Sequence, residues 1–225
     1  NGFANGKRSI EGIPAILGGL PTWMDQDFIT SQYSGDKTNS LASLLRKEGY
    51  STAFFHGGTN GTMGFNSYAR SAGFERYAGR TEYGNDADYD GEWGIWDEPY
   101  LQYFVREMEK MKQPFLTTVF TLSSHHPYKV PEKYRNKFRK GALPIQETVM
   151  YTDHALSEFF RSASETGWYD NTLFVITADH TSEASMPVYK TRVGQYRIPV
   201  MLYCPGHTLP GSYLQGTFQQ TDIMP

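Results

Sequence analysis

Leu173-Phe174-Val175-Ile176-Thr177-Ala178-Asp179-His180 is an apolar, β-branched run that breaks off into a carboxylate and an imidazole. Its composition predicts a strand over 173–178 with the polar pair at its carboxyl end. Two other stretches follow the same plan. Gly49-Tyr50-Ser51-Thr52-Ala53-Phe54-Phe55 runs into His56-Gly57-Gly58, and Phe115-Leu116-Thr117-Thr118-Val119-Phe120 runs toward Ser123-Ser124-His125-His126-Pro127-Tyr128. In open α/β sheets, ligands bind beyond the carboxyl ends of the strands. Three such ends carrying His and Asp point to one shared site.

The segments between these strands read as helices. Ser9 to Gly18 has a capping-type Ser and then Ile10, Ile13, Ile16 and Leu17 at helical spacing, stopped by Gly18-Gly19 and Pro21. Residues 22–38 are polar and irregular. Asn39 or Ser40 caps a short helix carrying Leu41, Leu44 and Leu45, ended by Gly49. Residues 56–96 read as loop. Residues 98–112 form an amphipathic helix through Leu101, Phe104, Val105, Met108 and Met111, with Asp97 as a candidate cap. After the strand at 115–122, residues 123–143 read as basic, polar loop. A long helix over 145–165 is expected to face the core with Ile145, Val149, Leu156, Phe159, Phe160 and Ala163, leaving His154 solvated. A last strand is expected over 198–203. Helix and strand alternate as in an α/β domain: a mostly parallel central sheet with helices on both faces. We find no repeat, low-complexity tract or linker, so residues 1–225 read as one domain.

Composition narrows the function classes. The chain has 225 residues, 39% of them hydrophobic, and abundant aromatics with 16 Tyr and 14 Phe, which argues for a packed core rather than disorder. A net charge of −3, with the basic residues scattered, carries no nucleic-acid footprint. The single cysteine, Cys204, excludes an internal disulfide and any multi-cysteine metal cluster. No apolar run is long enough to span a bilayer, and no signal peptide is recognisable. The opening Asn1-Gly2-Phe3 and the ending Asp222-Ile223-Met224-Pro225 read as cuts from a longer protein, truncated at both ends.

Four groups of residues carry chemistry. Asp179-His180 pairs donors that suit a divalent ion such as Mn²⁺ or Zn²⁺; the alternative is a loop Asp capping the next turn beside an exposed His. His125-His126 precedes Pro127, which restricts His126 to an extended conformation, so the two rings are expected to diverge. His56 reads mainly as a ring bonded within its Gly turn. Ser9, at a helix start where N–H groups and the helix dipole attract anions, is a candidate nucleophile with Arg8 adding positive charge. The bland reading of Ser9 is a plain N-cap.

Together, Asn5-Gly6-Lys7-Arg8-Ser9-Ile10-Glu11-Gly12, Phe55-His56-Gly57-Gly58, Ser124-His125-His126-Pro127-Tyr128 and Thr177-Ala178-Asp179-His180 resemble, in this order, the lipoteichoic acid synthase family. That family belongs to the sulfatase-like branch of the alkaline phosphatase superfamily. Tyr196-Arg197-Ile198-Pro199 and Gln220-Thr221-Asp222-Ile223-Met224-Pro225 resemble its later blocks. The resemblance implies a sulfatase-like catalytic domain and one divalent metal ion, Mn²⁺ first, with Mg²⁺ or Zn²⁺ as alternatives. Ser9 matches the nucleophile and metal ligand, where Thr is more usual; Asp179 and His180 match the paired metal ligands. His125 matches the histidine that contacts the substrate phosphate, with Arg8 and His126 as further substrate-binding groups. The family's acidic ligand on the strand before the nucleophile lies upstream of residue 1, and its tryptophan and arginine for glycerol phosphate fall near Met63 and Phe65, a departure from its pattern. The implied reaction transfers or hydrolyses a phospho-alcohol head group, of phosphoglycerol or phosphoethanolamine type, from an envelope phospholipid or glycan through a covalent seryl intermediate. The implied location is the extracytoplasmic face of the bacterial cytoplasmic membrane, with membrane attachment through segments outside this chain.

Three alternatives stand beside that reading. A sulfuric-ester hydrolase of the same superfamily would need a Cys/Ser-x-Pro-x-Arg element, and Ser9-Ile10-Glu11-Gly12-Ile13 has neither the Pro nor the Arg. A non-catalytic phosphoglycan-binding domain would keep the same cleft without turnover. Asp86-Ala87-Asp88-Tyr89-Asp90-Gly91-Glu92-Trp93-Gly94-Ile95-Trp96-Asp97 matches the spacing of a calcium loop, although no helix enters it and Asp stands at the last position where Glu is usual.

Overall fold

The computed structural model describes residues 2–209 and 216–224; Asn1 and Pro225, named above, lie outside the described residues. In chain order the elements are β1 (Gly2–Phe3), α1 (Ser9–Gly18), α2 (Leu41–Lys47), β2 (Ser51–His56), α3 (Phe65–Ser71), β3 (Arg76–Ala78), α4 (Arg80–Tyr83), α5 (Asp97–Glu109), β4 (Phe115–Phe120), α6 (Ile145–Ala163), β5 (Phe174–Thr177), β6 (Arg197–Ile198), β7 (Val200–Tyr203) and β8 (Phe218–Gln219). Helix and strand alternate as the α/β reading requires. The chain divides into two compact units. One comprises the described residues of Asn1–Glu48, Met63–Gly73 and Trp168–Pro225; the other comprises Gly49–Thr62 and Phe74–Gly167.

The second unit holds the parallel sheet, in the order β3–β2–β4. β2 lies between two parallel neighbours, and Ala53, Phe54 and Phe55 are wholly buried. That is why the sequence there is continuously apolar rather than alternating. β3 was hidden inside the expected 56–96 loop. It is only three residues long, Arg76-Tyr77-Ala78, and owes its conformation to pairing with Ala53–Phe55. α5 and α6 pack together through the stacked rings of Phe104 and Phe159.

The buried face of α6 differs from the expected one. Thr148, Tyr151, Ala155, Phe159 and Ala163 line it, at spacings of three and four, while Val149 is half exposed. Tyr151 and Thr148 tolerate burial because their hydroxyls are satisfied: Tyr151 Oη accepts from the Glu98 N–H and Thr148 donates to the Ile145 carbonyl. His154 is half-buried rather than fully solvated, and its Nε2 lies 2.9 Å from the Tyr134 hydroxyl.

In the first unit, α1 ends as the sequence requires. Gly19 adopts φ 59°, and the Gly19 and Leu20 N–H groups donate to the Ala15 and Pro14 carbonyls. Ser40 caps α2 by accepting from the Ser43 N–H at 3.0 Å. β1 pairs antiparallel with β6 and parallel with β8. β5 and β7 run antiparallel, joined across Val175↔Leu202. The parallel order thus holds for β2, β3 and β4, and the last two expected strands form a two-stranded antiparallel sheet.

Candidate active site

The start of α1 is built by Glu11. Its Oε2 accepts the N–H groups of Lys7 and Arg8 at 2.7 and 2.9 Å, and its Oε1 accepts from Arg8 Nη2 at 3.0 Å. This carboxylate does the work the sequence assigned to Ser9. Arg8 occupies the N-cap position, and Ser9 is the first helical residue. Its hydroxyl is therefore not spent on capping. Ser9 is buried, with 6% exposure, at the positive end of the α1 dipole. Arg8 Nη2 also reaches Asp27 at 2.7 Å, and the guanidinium stays mostly exposed. The Arg8 guanidinium and its hydrogen bond hold the Glu11 carboxyl below its ordinary range, against the opposing effect of burial.

Asp179 and His180 reach the same helix start because of Gly12. A Cβ there would lie 2.3 Å from the Asp179 carbonyl oxygen, so only glycine lets the backbones approach. His180 Nε2 then stands 3.5 Å from Ser9 Oγ and 3.4 Å from Asp179 Oδ2. The tautomer follows from the other ring nitrogen. Nδ1 lies 2.7 Å from the Thr181 carbonyl, which only accepts, so Nδ1 carries the proton. Nε2 is left with a lone pair directed at a carboxylate and a hydroxyl oxygen. The Ser9 hydroxyl proton is the one available between these groups, and its loss would leave lone pairs on three atoms suited to a cation. Donors around a divalent ion, at ligand distances of about 2.0–2.2 Å, lie roughly 3.0–3.5 Å apart. The Nδ1–H···O=C bond is the usual support for a metal-binding imidazole. Among the described residues no group of three or more His, Cys, Asp or Glu is placed to hold a metal ion. The polar atoms that meet at the α1 start are Ser9 Oγ, Asp179 Oδ2 and His180 Nε2.

Gln220 supports this arrangement, a role no motif assigned to it. It is wholly buried; its Nε2 donates to the Ala178 and Asp179 carbonyls at 2.9 and 2.7 Å, and its Oε1 accepts the Asn5 N–H at 2.8 Å. One side chain thus joins the segment before α1 to the segment after β5. Its only sequence signal was membership of the final family-like block.

The second unit carries its own cluster. His125 and His126 do not diverge. Their Nδ1 atoms lie 3.1 Å apart, because the chain turns rather than extends: the His125 N–H donates to Leu122, and the Tyr128 N–H to His125. The His125 ring packs on Trp93 at 3.9 Å between centroids, and Trp93 Nε1 donates to the His126 carbonyl at 2.8 Å. A shallow depression beside them is lined by Asp90, Trp93, Trp96, Ser123, His125 and Lys129, among others.

The calcium-loop reading fails on the direction of its acids. Asp86 pairs with Arg80, and Asp88 accepts from the Tyr83 hydroxyl and Asn85. Asp90 Oδ1 accepts the N–H groups of Glu92, Trp93 and Gly94. Asp97 is buried and bonded to the end of β4 rather than capping α5. Each carboxylate serves a different neighbour. His56 is structural, as its Gly turn suggested: it is wholly buried, its Nδ1 lies 3.1 Å from the Tyr77 hydroxyl and its ring stacks on Phe120. Burial pushes its pKa down to about 4.

The comparisons with known proteins bear on the family and the fold. The family profile described as Sulfatase matches residues 1–225. Lipoteichoic acid synthase 1 of Bacillus subtilis is 27% identical over 210 residues, covering 85% of this chain and 33% of the relative. An alkaline phosphatase superfamily protein from Vibrio parahaemolyticus superposes with a TM-score of 0.81 at 25% identity, covering 98% of this chain and 54% of that one. The lipoteichoic acid synthase LtaP of Listeria monocytogenes superposes with a TM-score of 0.86 at 21% identity, covering 100% of this chain and 60% of that one, a likeness of fold. The chain spans about a third of the length of the Bacillus relative.

Proposed function

Because the chain belongs to the sulfatase family, among the lipoteichoic acid synthase-like members of the alkaline phosphatase superfamily, we propose that it is the catalytic portion of a metal-dependent phosphotransferase or phosphodiesterase. Its substrates are phospho-alcohol head groups, of phosphoglycerol or phosphoethanolamine type, on envelope lipids or glycans. The observation that carries the reading is the uncapped, buried Ser9 hydroxyl at the α1 N-terminus, 3.5 Å from a His180 Nε2 whose lone pair is free to face it.

Ser9, Asp179 and His180 would hold one divalent ion, Mn²⁺ first and Mg²⁺ or Zn²⁺ as alternatives. Bound there, the ion would lower the proton affinity of the serine hydroxyl and offset charge on a phosphoryl oxygen. Ser9 Oγ gives up its proton to solvent and attacks phosphorus, and the O–P bond forms as the bond to the departing lipid or glycan oxygen breaks. The departing oxygen takes up a proton, for which His125 is the proposed donor and phosphate contact. An acceptor hydroxyl or water then attacks the phosphoseryl group and regenerates Ser9. Arg8 and His126 are assigned to the anionic substrate. The α1 N-terminus favours the same charge. No helix among the described residues is long and apolar enough to cross a membrane. The proposed location is the extracytoplasmic face of the cytoplasmic membrane, which gives such an enzyme access to lipid head groups.

The test uses full-length protein with Mn²⁺ and a chromogenic phosphodiester. Turnover in wild type that is lost in Ser9→Ala, with a phosphorylated Ser9 peptide found by mass spectrometry after acid quench, supports the reading. Absence of turnover in wild type with each of the three ions would favour a phosphoglycan-binding domain.

A further inference from the structure

We infer that Asp97 is a positioning residue for His125, fixing the imidazole through three consecutive backbone and side-chain tethers at the exit of β4. The inference rests on the reading of His125 as the phosphate contact. Asp97 is the first residue of α5 and is 2% exposed. Its Oδ1 accepts the N–H groups of Leu122 and Ser123 at 2.8 and 3.1 Å. Its own N–H donates to Ser123 Oγ at 3.0 Å, so Asp97 and Ser123 are joined twice. Its Oδ2 accepts from the Thr152 hydroxyl at 2.8 Å, on α6. Thr152 spends its proton on the carboxylate, so the Ser124 hydroxyl, 3.0 Å away, is the donor to Thr152. Leu122, Ser123 and Ser124 are thereby held in succession, and His125 is the next residue.

The other partner of His125 is set by a similar device. Asp90 Oδ1 gathers the N–H groups of Glu92, Trp93 and Gly94, which orients Trp93 beneath the imidazole. Gly94 is closely enclosed as well: a Cβ there would lie 2.5 Å from Leu122 Cδ1 and 2.6 Å from the Gly57 carbonyl oxygen. Two acids of the calcium-like sequence thus act as backbone clamps, one for the ring and one for its aromatic support. A buried carboxylate is costly unless hydrogen bonds satisfy it. Asp97 satisfies that condition by binding the segment that presents His125. The N-terminal position on α5 adds favourable dipole charge.

The readout is the ring-current shift that Trp93 imposes on the His125 ring protons. It is measured by carbon–proton NMR on histidine-labelled protein and assigned by its loss in His125→Asn and its collapse in Trp93→Leu. Asp97→Asn keeps the shape of the side chain but removes the negative charge that all three bonds share and puts an NH₂ donor in place of one acceptor oxygen; Thr152→Val removes only the Oδ2 arm and the Ser124 tether. We expect the shift to be lost in Asp97→Asn and reduced in Thr152→Val, with phosphodiester turnover falling in the same order and KM little changed. An unchanged shift in folded Asp97→Asn overturns the inference, as does a lost shift with turnover intact. Should Asp97→Asn not fold, Thr152→Val decides by the same criteria. Absence of turnover in wild type would overturn the proposed function while leaving the positioning claim to be judged by the shift alone.

Discussion

Gln220 and Asp179 are joined by a 2.7 Å hydrogen bond from a wholly buried side-chain amide to a backbone carbonyl. The same nitrogen holds Ala178, and the amide oxygen holds the Asn5 N–H. Removing the amide leaves one donor and two carbonyls without their partner. We expect Gln220→Ala to lower stability by about 2–4 kcal/mol, from two or more buried bonds lost. Urea denaturation measures this, and Mn²⁺ affinity by calorimetry is expected to fall with it.

Gly12 meets Asp179 from the other side. Gly12→Ala places a methyl group 2.3 Å from the Asp179 carbonyl oxygen, and both atoms belong to backbone-fixed positions. α1 must then shift away from Asp179 and His180. We expect at least a tenfold loss of turnover, the scale set by ångström misplacement of a reacting group. Retention of wild-type turnover in Gly12→Ala would show that α1 does not set the site.

Glu11 is the true cap of α1, and Ser9 is not. Glu11→Ala frees the N–H groups of Lys7 and Arg8 and is expected to cost about 1–2 kcal/mol. Ser9→Ala is expected to leave the melting temperature nearly unchanged while abolishing turnover. Thermal melts of the two variants separate the capping role from the nucleophilic one.

His56 gives the fold an acid limit. Its pKa is about 4 in the folded chain, against an ordinary value of 6.5, because burial disfavours the imidazolium. The unfolded chain therefore binds the proton first, and stability falls as pH drops from 6.5 toward about 4. The shift corresponds to roughly 3 kcal/mol at most. Chemical denaturation across that range is expected to show a steeper acid loss in wild type than in His56→Gln.

Calcium at millimolar concentration is expected to leave tryptophan fluorescence unchanged, since Asp86, Asp88, Asp90 and Asp97 are each committed to separate neighbours. A saturable change that is lost in Asp88→Asn would overturn that statement.

Apolar patterning and turn residues made the main elements legible. β2, β4 and β5 were readable because apolar and β-branched runs of strand length mark them, and α1, α2, α5 and α6 because caps and 3.6-residue spacing mark them. The pairing of Asp179 with His180 needed only adjacency. Their approach to Ser9 needed folding, because it depends on Gly12 and on Gln220, more than 200 residues downstream of Asn5. β3 was invisible because three polar-flanked residues carry no period; their strand state comes from β2. The face of α6 was misread because buried hydroxyls count as polar in a pattern yet are harmless once bonded. Asp86 to Asp97 matched a calcium loop because spacing records which residues are acidic but not where their oxygens point. Sequence alone determined the type of chemistry available, through the identities of Ser9, His125, Asp179 and His180. Tertiary structure decided which hydroxyl was free, which imidazole nitrogen kept its lone pair and which carboxylates became clamps, because those depend on hydrogen-bond partners distant in the chain.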